Sequence, residues 1–306
     1  MVFNKKYGKQ VEIILKVIPL IFKQKIFAIK GGTALNLFYF HLPRLSVDID
    51  LVYLPIENRE LSFKRINLGL DVLRKNIERL NPDYRVEKIK KKNDNIFKLL
   101  ILSSYGNVKI EVNEVIRGSI ENPVELYANN KVEEIFGRKP IARVLTIEEV
   151  LAGKICAALS RQHPRDFFDV GIMFSRSLFN DKTKKYFLVY LIQSNKPIHE
   201  ILSPREKDIT ELYNKEFLGM VREDIKIENL FTIRKWLFET ILKSLNADDK
   251  EFLISFKSGS PAWDKLGLVG IDELPAVKWK LYNLSKMDVK KKREFIKKLE
   301  VLLFKY

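Results

Sequence analysis

Cysteine is all but absent: Cys156 is the one copy in 306 residues, so no disulfide forms within the chain, and the thiol reads as a small core side chain. Histidine is nearly as scarce. His41, His163 and His199 are scattered without ligand spacing, which argues against zinc. The apolar run over residues 11–22 is interrupted by Glu12 and Lys16 and is too short to span a bilayer. With no signal-peptide pattern, a cytoplasmic protein without a membrane partner is expected. Internal repeats and long low-complexity tracts are missing, and so is a P-loop. Around Gly153-Lys154 the first glycine is replaced by Glu148 and the Ser/Thr by Ile155.

Charge of one sign is in excess. Lysine and arginine number 55 against 39 acids, a formal net charge of +16 that concentrates polyanions near the surface. The excess gathers at Lys88, Lys90, Lys91 and Lys92, and again at Lys290, Lys291, Lys292, Arg293, Lys297 and Lys298. RNA or DNA is the favoured partner, with an anionic membrane surface as the alternative. The interleaved aromatics Tyr84, Phe97, Trp279 and Tyr282 are of the type on which bases stack, but they read better as core.

The length suggests two domains. Residues 1–145 read as mixed α/β and residues 146–306 as mainly helical. Helices are expected over 227–245 and 288–304, the latter with Phe295, Leu299, Leu302 and Leu303 inward and lysines outward. The Gly- and Pro-containing stretch 258–274 reads as a loop.

Residues 30–51, KGGTALNLFYFHLPRLSVDIDL, carry the most information. Val47, Ile49 and Leu51 alternate with Asp48 and Asp50, so a strand here turns its apolar residues to a core and both acids to the other face. Two like charges side by side repel unless a cation joins them, and an all-oxygen donor set favours Mg2+ or Mn2+. Upstream, Gly31 and Gly32 permit close backbone approaches, and Thr33 opens a segment whose Leu35, Phe38 and Leu42 recur at helical spacing. The start of such a helix suits a phosphate. Gly31, Gly32, Thr33, Arg44 and Ser46 are the candidate nucleotide-binding residues of this unit. In residues 107–115, Val108, Ile110 and Val112 alternate with Lys109, Glu111 and Asn113, which would stand Glu111 beside the Asp48/Asp50 strand as a third metal ligand.

A fourth stretch covers residues 146–170. Thr146 with Glu149 reads as a capping box opening a helix, with Ile147, Val150, Leu151, Ile155 and Ala158 as its buried stripe. Lys154 lies within that stripe and Arg161 follows on the same side. An ammonium there meets either the triphosphate of a nucleotide or a carboxylate such as Asp166 or Asp169, and the two readings weigh evenly. Past Pro164, Asp166 and Asp169 share one face of a further helix, where they hold Lys154 or Arg161 or reach the substrate.

Taken in order, Gly31-Gly32-Thr33-Ala34-Leu35, Arg44-x-Ser46-x-Asp48-x-Asp50, Lys109-x-Glu111, and Lys154 followed by Arg165-Asp166-x-x-Asp169 resemble the AbiEii/AbiGii toxin family, the MenT-like nucleotidyltransferase toxins of type IV toxin–antitoxin systems. The resemblance implies an α+β, polymerase-β-like nucleotidyltransferase core, a mixed sheet flanked by helices, with a helical C-terminal region. It implies metal binding by Asp48 and Asp50, with Glu111 as third acid, and a requirement for Lys154 and Asp166. Lys154, Arg161 and Asp169 join the nucleotide site. The expected reaction moves a nucleotide from an NTP to RNA, the tRNA 3′ end by resemblance, in a toxin with a cognate antitoxin. Transfer to a protein hydroxyl, nucleotide or nucleic-acid binding without turnover, and a purely structural partner sequestered by an antitoxin are the alternatives.

Overall fold

The computed structural model describes residues 3–90 and 95–305, so Lys91 and Lys92 lie outside the described residues. Contacts divide the chain into two compact units, Met1–Val150 with Leu218–Asp224, and Leu151–Phe217 with Ile225–Tyr306.

The first unit is α+β. In chain order it holds helix α1 (Lys5–Phe22), strand β1 (Phe27–Lys30), helix α2 (Gly31–Ala34) running into a π-helical turn (Leu35–Tyr39), β2 (Asp48–Tyr53), α3 (Arg59–Glu78), β3 (Arg85–Lys90), β4 (Ile96–Leu102), β5 (Val108–Val112), β6 (Val124–Tyr127), α4 (Asn130–Phe136) and β7 (Ile141–Val144). The strands form one mixed seven-stranded sheet in the order β3-β4-β5-β2-β1-β7-β6. Pairs β2/β5 and β1/β7 are parallel and the rest antiparallel. The alternation read from the sequence is the burial that results: Ile49, Leu51, Val108, Ile110 and Val112 are buried, whereas Asp48, Asp50, Lys109 and Glu111 keep part of their surface. Helix α1 covers the apolar face with Val11, Ile14, Leu15 and Ile18, and α3 adds Ile66, Leu70, Leu73 and Ile77. The helix after Gly31 ends earlier than its spacing suggested. It widens into the π turn and stops at Tyr39; Phe40 is extended, and Leu42 lies outside with φ 48°.

Helix α5 (Ile147–Arg161) leads from the first unit into the second, which is helical. There follow α6 (Pro164–Ser175), α7 (Asp181–Gln193), α8 (Ile198–Leu202), α9 (Thr210–Glu216), α10 (Ile227–Ser244), α11 (Ala247–Ser258), α12 (Trp263–Leu266), α13 (Pro275–Ser285) and α14 (Val289–Phe304). Helix α7 is buried without a break from Tyr186 to Gln193 and forms the centre, packed by α8, α11 and α13. Helices α10 and α14 fall where expected, and Leu299 and Leu303 of α14 are buried while Phe295 and Leu302 are half-buried. Four sequence expectations change. The supposed loop 258–274 contains α12 and a 3₁₀ turn, Ile271–Glu273. Cys156 is half-buried, not fully in the core. Tyr84 and Phe97 are core, but Trp279 and Tyr282 are 51 % and 54 % exposed on α13. The capping box at Thr146 is not made: its hydroxyl is buried without a hydrogen-bond partner, and Glu149 instead accepts from the Ile120 backbone N–H at 3.1 Å. Among the described residues no helix is long and apolar enough to cross a membrane.

Candidate functional site

The turn from β1 into α2 is built so that polar side chains can press on its backbone. Gly31 has φ +67°, and a Cβ there would stand 2.7 Å from Asp50 Oδ2; one on Gly32 would stand 2.8 Å from Arg44 Nη2 and 2.9 Å from Ser46 Oγ. Both glycines are therefore required by sterics, and Gly31 also by its left-handed backbone. Thr33 donates its hydroxyl proton to the Asp48 carbonyl and accepts from Ser46 Oγ at 3.1 Å, and Asn36 Nδ2 donates to the Gly32 carbonyl at 2.9 Å. Arg44 is 1 % exposed and donates to the Leu45 carbonyl. Its strand-like backbone is held by a segment far along the chain: Arg44 bridges Val221, Leu45 N donates to the Met220 carbonyl at 2.7 Å, and Arg222 N donates to the Pro43 carbonyl at 2.9 Å. Of the candidate nucleotide contacts here, Gly32, Thr33, Arg44 and Ser46 are buried. They form a clamp that fixes the turn against β2 and holds Asp50 at its mouth.

Across the sheet, register places Asp48 opposite Lys109 and Asp50 opposite Glu111 in the parallel β2/β5 pair. Glu111 faces Lys98 on β4, and Lys30 faces Asp50 on β1. One sheet face thus carries three carboxylates interleaved with lysines. Lys109 Nζ lies 3.8 Å from Asp48 and 3.4 Å from Glu111, which also meets Lys98 at 3.4 Å. About a third of each of these side chains is exposed, and such pairs contribute ~1 kcal/mol or less. A divalent cation is a far stronger partner, so the lysines are displaceable. The paired carboxylates of Asp48 and Asp50 suit a hard, oxygen-preferring ion. Among the described residues no three His, Cys, Asp or Glu side chains are gathered as they would be around one ion, and Glu111 is held by its two lysines.

The second group lies in the helical unit. Lys154 meets Asp166 Oδ1 and Asp169 Oδ2, each at 3.0 Å, with the lysine side chain 5 % exposed and both acids fully buried. Of the two readings open for Lys154, the carboxylate pairing is the one seen. Arg161 adds a fork to Asp166, with Nε at 2.6 Å and Nη2 at 2.8 Å, and its own side chain is 59 % exposed. Burial by itself raises the Asp166 pKa, but the Lys154 ammonium and the Arg161 guanidinium outweigh it and hold the carboxyl well below the usual range. The α5–α6 joint is equally fixed. Gln162 adopts φ +58° and uses its buried amide twice, donating to the Arg205 carbonyl at 2.8 Å and accepting from Lys207 N at 3.1 Å. His163 caps α6, with Nδ1 accepting from Arg165 N at 3.2 Å, while Nε2 faces Glu216 at 3.1 Å. Burial and the Arg165 charge push its pKa down, which keeps the ring neutral.

Sequence reading had missed Lys98, whose place opposite Glu111 emerges only from the β4/β5 register, and the 219–222 segment, which has no distinctive composition. A cavity of about 700 Å³ lies among residues 54–56 and 119–124 of the first unit, and none of the site residues lines it.

The family model described as nucleotidyl transferase AbiEii toxin, type IV toxin–antitoxin system, matches residues 13–280 of the chain. Among solved structures, the nucleotidyltransferase toxin MenT4 of Mycobacterium tuberculosis H37Rv is similar with a TM-score of 0.57 at 14% identity, covering 98% of this chain and 95% of that one. At that identity the likeness is one of fold. No curated protein matches the sequence.

Proposed function

Since the chain belongs to the AbiEii family of nucleotidyltransferase toxins of type IV toxin–antitoxin systems, we propose that it transfers a nucleotide from an NTP to RNA, with the tRNA 3′ end as acceptor. The observation that carries this reading is the sheet face on which Asp48 and Asp50 stand together, Asp50 pressed onto Gly31.

In the reaction, the acceptor hydroxyl oxygen forms a bond to the α-phosphorus. The bond from that phosphorus to the bridging oxygen breaks, pyrophosphate leaves with the electron pair, and the hydroxyl proton passes to solvent. Such transfer is mostly positioning and charge neutralisation. Asp48 and Asp50 would hold a divalent cation, Mg2+ or Mn2+, which supplies Lewis acidity and lowers the pKa of the hydroxyl when bound. Glu111 would be a third acid able to hold that ion, since its pairs with Lys98 and Lys109 are partly exposed and weak. The N–H groups opening α2 receive phosphate oxygens. Thr33, Arg44 and Ser46 keep the turn rigid instead of touching the nucleotide, because each is buried in the clamp.

Lys154 and Asp166 are needed for activity as a positioning pair within the helical unit: with Asp169 they lock α5 to α6 and fix the exposed Arg161. Arg161 is the member of this group that meets an anion in solution. A cytoplasmic location and a cognate antitoxin complete the proposal.

The test is incubation of the purified protein with total RNA, a divalent cation and each α-labelled NTP separately, alongside Asp48→Asn. Label in an RNA band with the wild type only, abolished by a chelator, supports the reading and names the nucleotide. Label in a protein band instead overturns the RNA acceptor, and no label anywhere overturns turnover under these conditions for every NTP tried.

A further inference from the structure

Lys257, in the last turn of α11, is 6 % exposed, yet no carboxylate is paired with it among the described residues. Its ammonium lies 4.7 Å from the ring centroid of Phe295 on α14, and Lys291 and Lys298 stand 5.8 Å and 6.0 Å from the same centroid. Lys280 on α13 donates to the Ser194 carbonyl, and Lys292 reaches the end of α11 so closely that a Cβ on Gly259 would be 3.2 Å from its Nζ. The nearby acid Glu294 is bound by Lys298 at 2.6 Å, and the charge of Glu200 acts on His199, whose pKa burial pushes down. Burial, then the charges of Lys280, Lys292 and Lys291, push Lys257 down to about 8.

This arrangement is short of negative charge. The C-terminal end of a helix and a ring face each offset only part of the cost of withdrawing an ammonium from water, and like charges add to that cost. An anion seated among these lysines removes the deficit. On the same helix as Lys280, Trp279 and Tyr282 stack with their rings 5.8 Å apart and 21° from parallel, and Lys286 sits 5.7 Å from the Tyr282 centroid. Exposed, nearly parallel rings on the helix that also carries Lys280 supply the base-stacking half of the alternation of base and phosphate along a single strand, and the lysines supply the phosphate half.

We propose that α11, α13 and α14 form a docking surface for single-stranded RNA, in which Lys257 with Lys280, Lys291 and Lys292 takes a backbone phosphate and Trp279 and Tyr282 stack a base. This rests on the reading that the acceptor is RNA, and it assigns that RNA a hold outside the carboxylate face.

Binding of a short, end-labelled single-stranded RNA to the full-length protein, followed by anisotropy in chelator without NTP over a range of salt, tests it. Lys257→Met and the pair Lys291→Gln with Lys292→Gln, one exposed and one half-buried, are each expected to weaken binding about tenfold and to make the salt dependence shallower by ~1 in log–log slope. Trp279→Ala is expected to weaken it about tenfold with the slope unchanged. Affinities within about twofold of wild type for the lysine pair and for Trp279→Ala overturn the proposal, whatever Lys257→Met does to folding. So does intact RNA binding by variants that lose inorganic phosphate or phosphatidylglycerol vesicles, since the seat then serves a small anion or a lipid headgroup. If wild type labels RNA but these variants bind it normally, the docking surface fails and the transferase reading stands. If wild type binds RNA through these residues and labels none, the reverse holds.

Discussion

Gly31 is where a single added carbon would collide with Asp50. Alanine there must accept φ +67° and a carbon 2.7 Å from Asp50 Oδ2. The left-handed backbone alone costs ~1–2 kcal/mol, so Gly31→Ala is expected to lower Tm by a few degrees and to abolish nucleotide transfer by moving Asp50. Asp48→Asn, at a half-exposed position, is expected to abolish transfer with Tm nearly unchanged. Lys154 behaves oppositely. Removing it leaves Asp166 and Asp169 buried without their ammonium, a loss of ~3–5 kcal/mol, so Lys154→Ala is expected to melt far earlier than Asp48→Asn by calorimetry. Asp166 also dictates a pH dependence. Its folded pKa is depressed below the ordinary 3.8, so its stabilisation is fully present above that value and is lost as pH falls through the folded pKa. The difference in unfolding free energy between wild type and Asp166→Asn should therefore be constant from neutrality to about pH 5 and should shrink below pH ~4. The residue types at these positions were legible in the sequence because alternation and helical spacing force them onto polar or buried faces. Which anion Lys154 meets was not, because a periodic pattern fixes the side of a helix and says nothing of what packs there.

At the level of elements, β2 and β5 were readable from a two-residue period, and so was Glu111 standing beside the Asp48/Asp50 strand; the parallel pairing that sets Asp50 opposite Glu111 was not, because alternation carries no strand direction. The first helix after the glycines was overextended because Leu42 fits a helical spacing that the π turn breaks after Tyr39. Thr146 and Glu149 look like a cap locally, but Glu149 is drawn to Ile120, a tertiary partner that no local rule contains. The α5–α6 joint gives the element-scale prediction. Gln162 holds a left-handed backbone that glycine would tolerate better, yet its side chain anchors residues 205 and 207. Gln162→Gly relieves the strain and loses two buried hydrogen bonds worth about 1 kcal/mol each. It is expected to be net destabilising and to speed amide hydrogen exchange at Lys207, whereas a stabilised variant would show that the backbone strain dominates.

Over the whole molecule, net charge raised the expectation of a nucleic-acid partner and length that of two parts, but neither told the course of the chain between them. The chain leaves the first unit after Val150, comes back for Leu218–Asp224, and leaves again. A fragment ending at residue 150 is therefore expected to lack a fixed tertiary structure by near-UV circular dichroism, since Leu45 N and Pro43 O lose their partners Met220 and Arg222. Adding a peptide of residues 216–226 should restore part of the signal. The returning segment also imposes an order on biosynthesis. Until residues 218–224 have been made and released, Arg44 has nothing to bridge and the loop that presents Ser46 and Asp48 stays unfastened. The turn is therefore fastened only once residue 222 has left the exit tunnel, well after the strands that carry Asp48, Asp50 and Glu111 have been made.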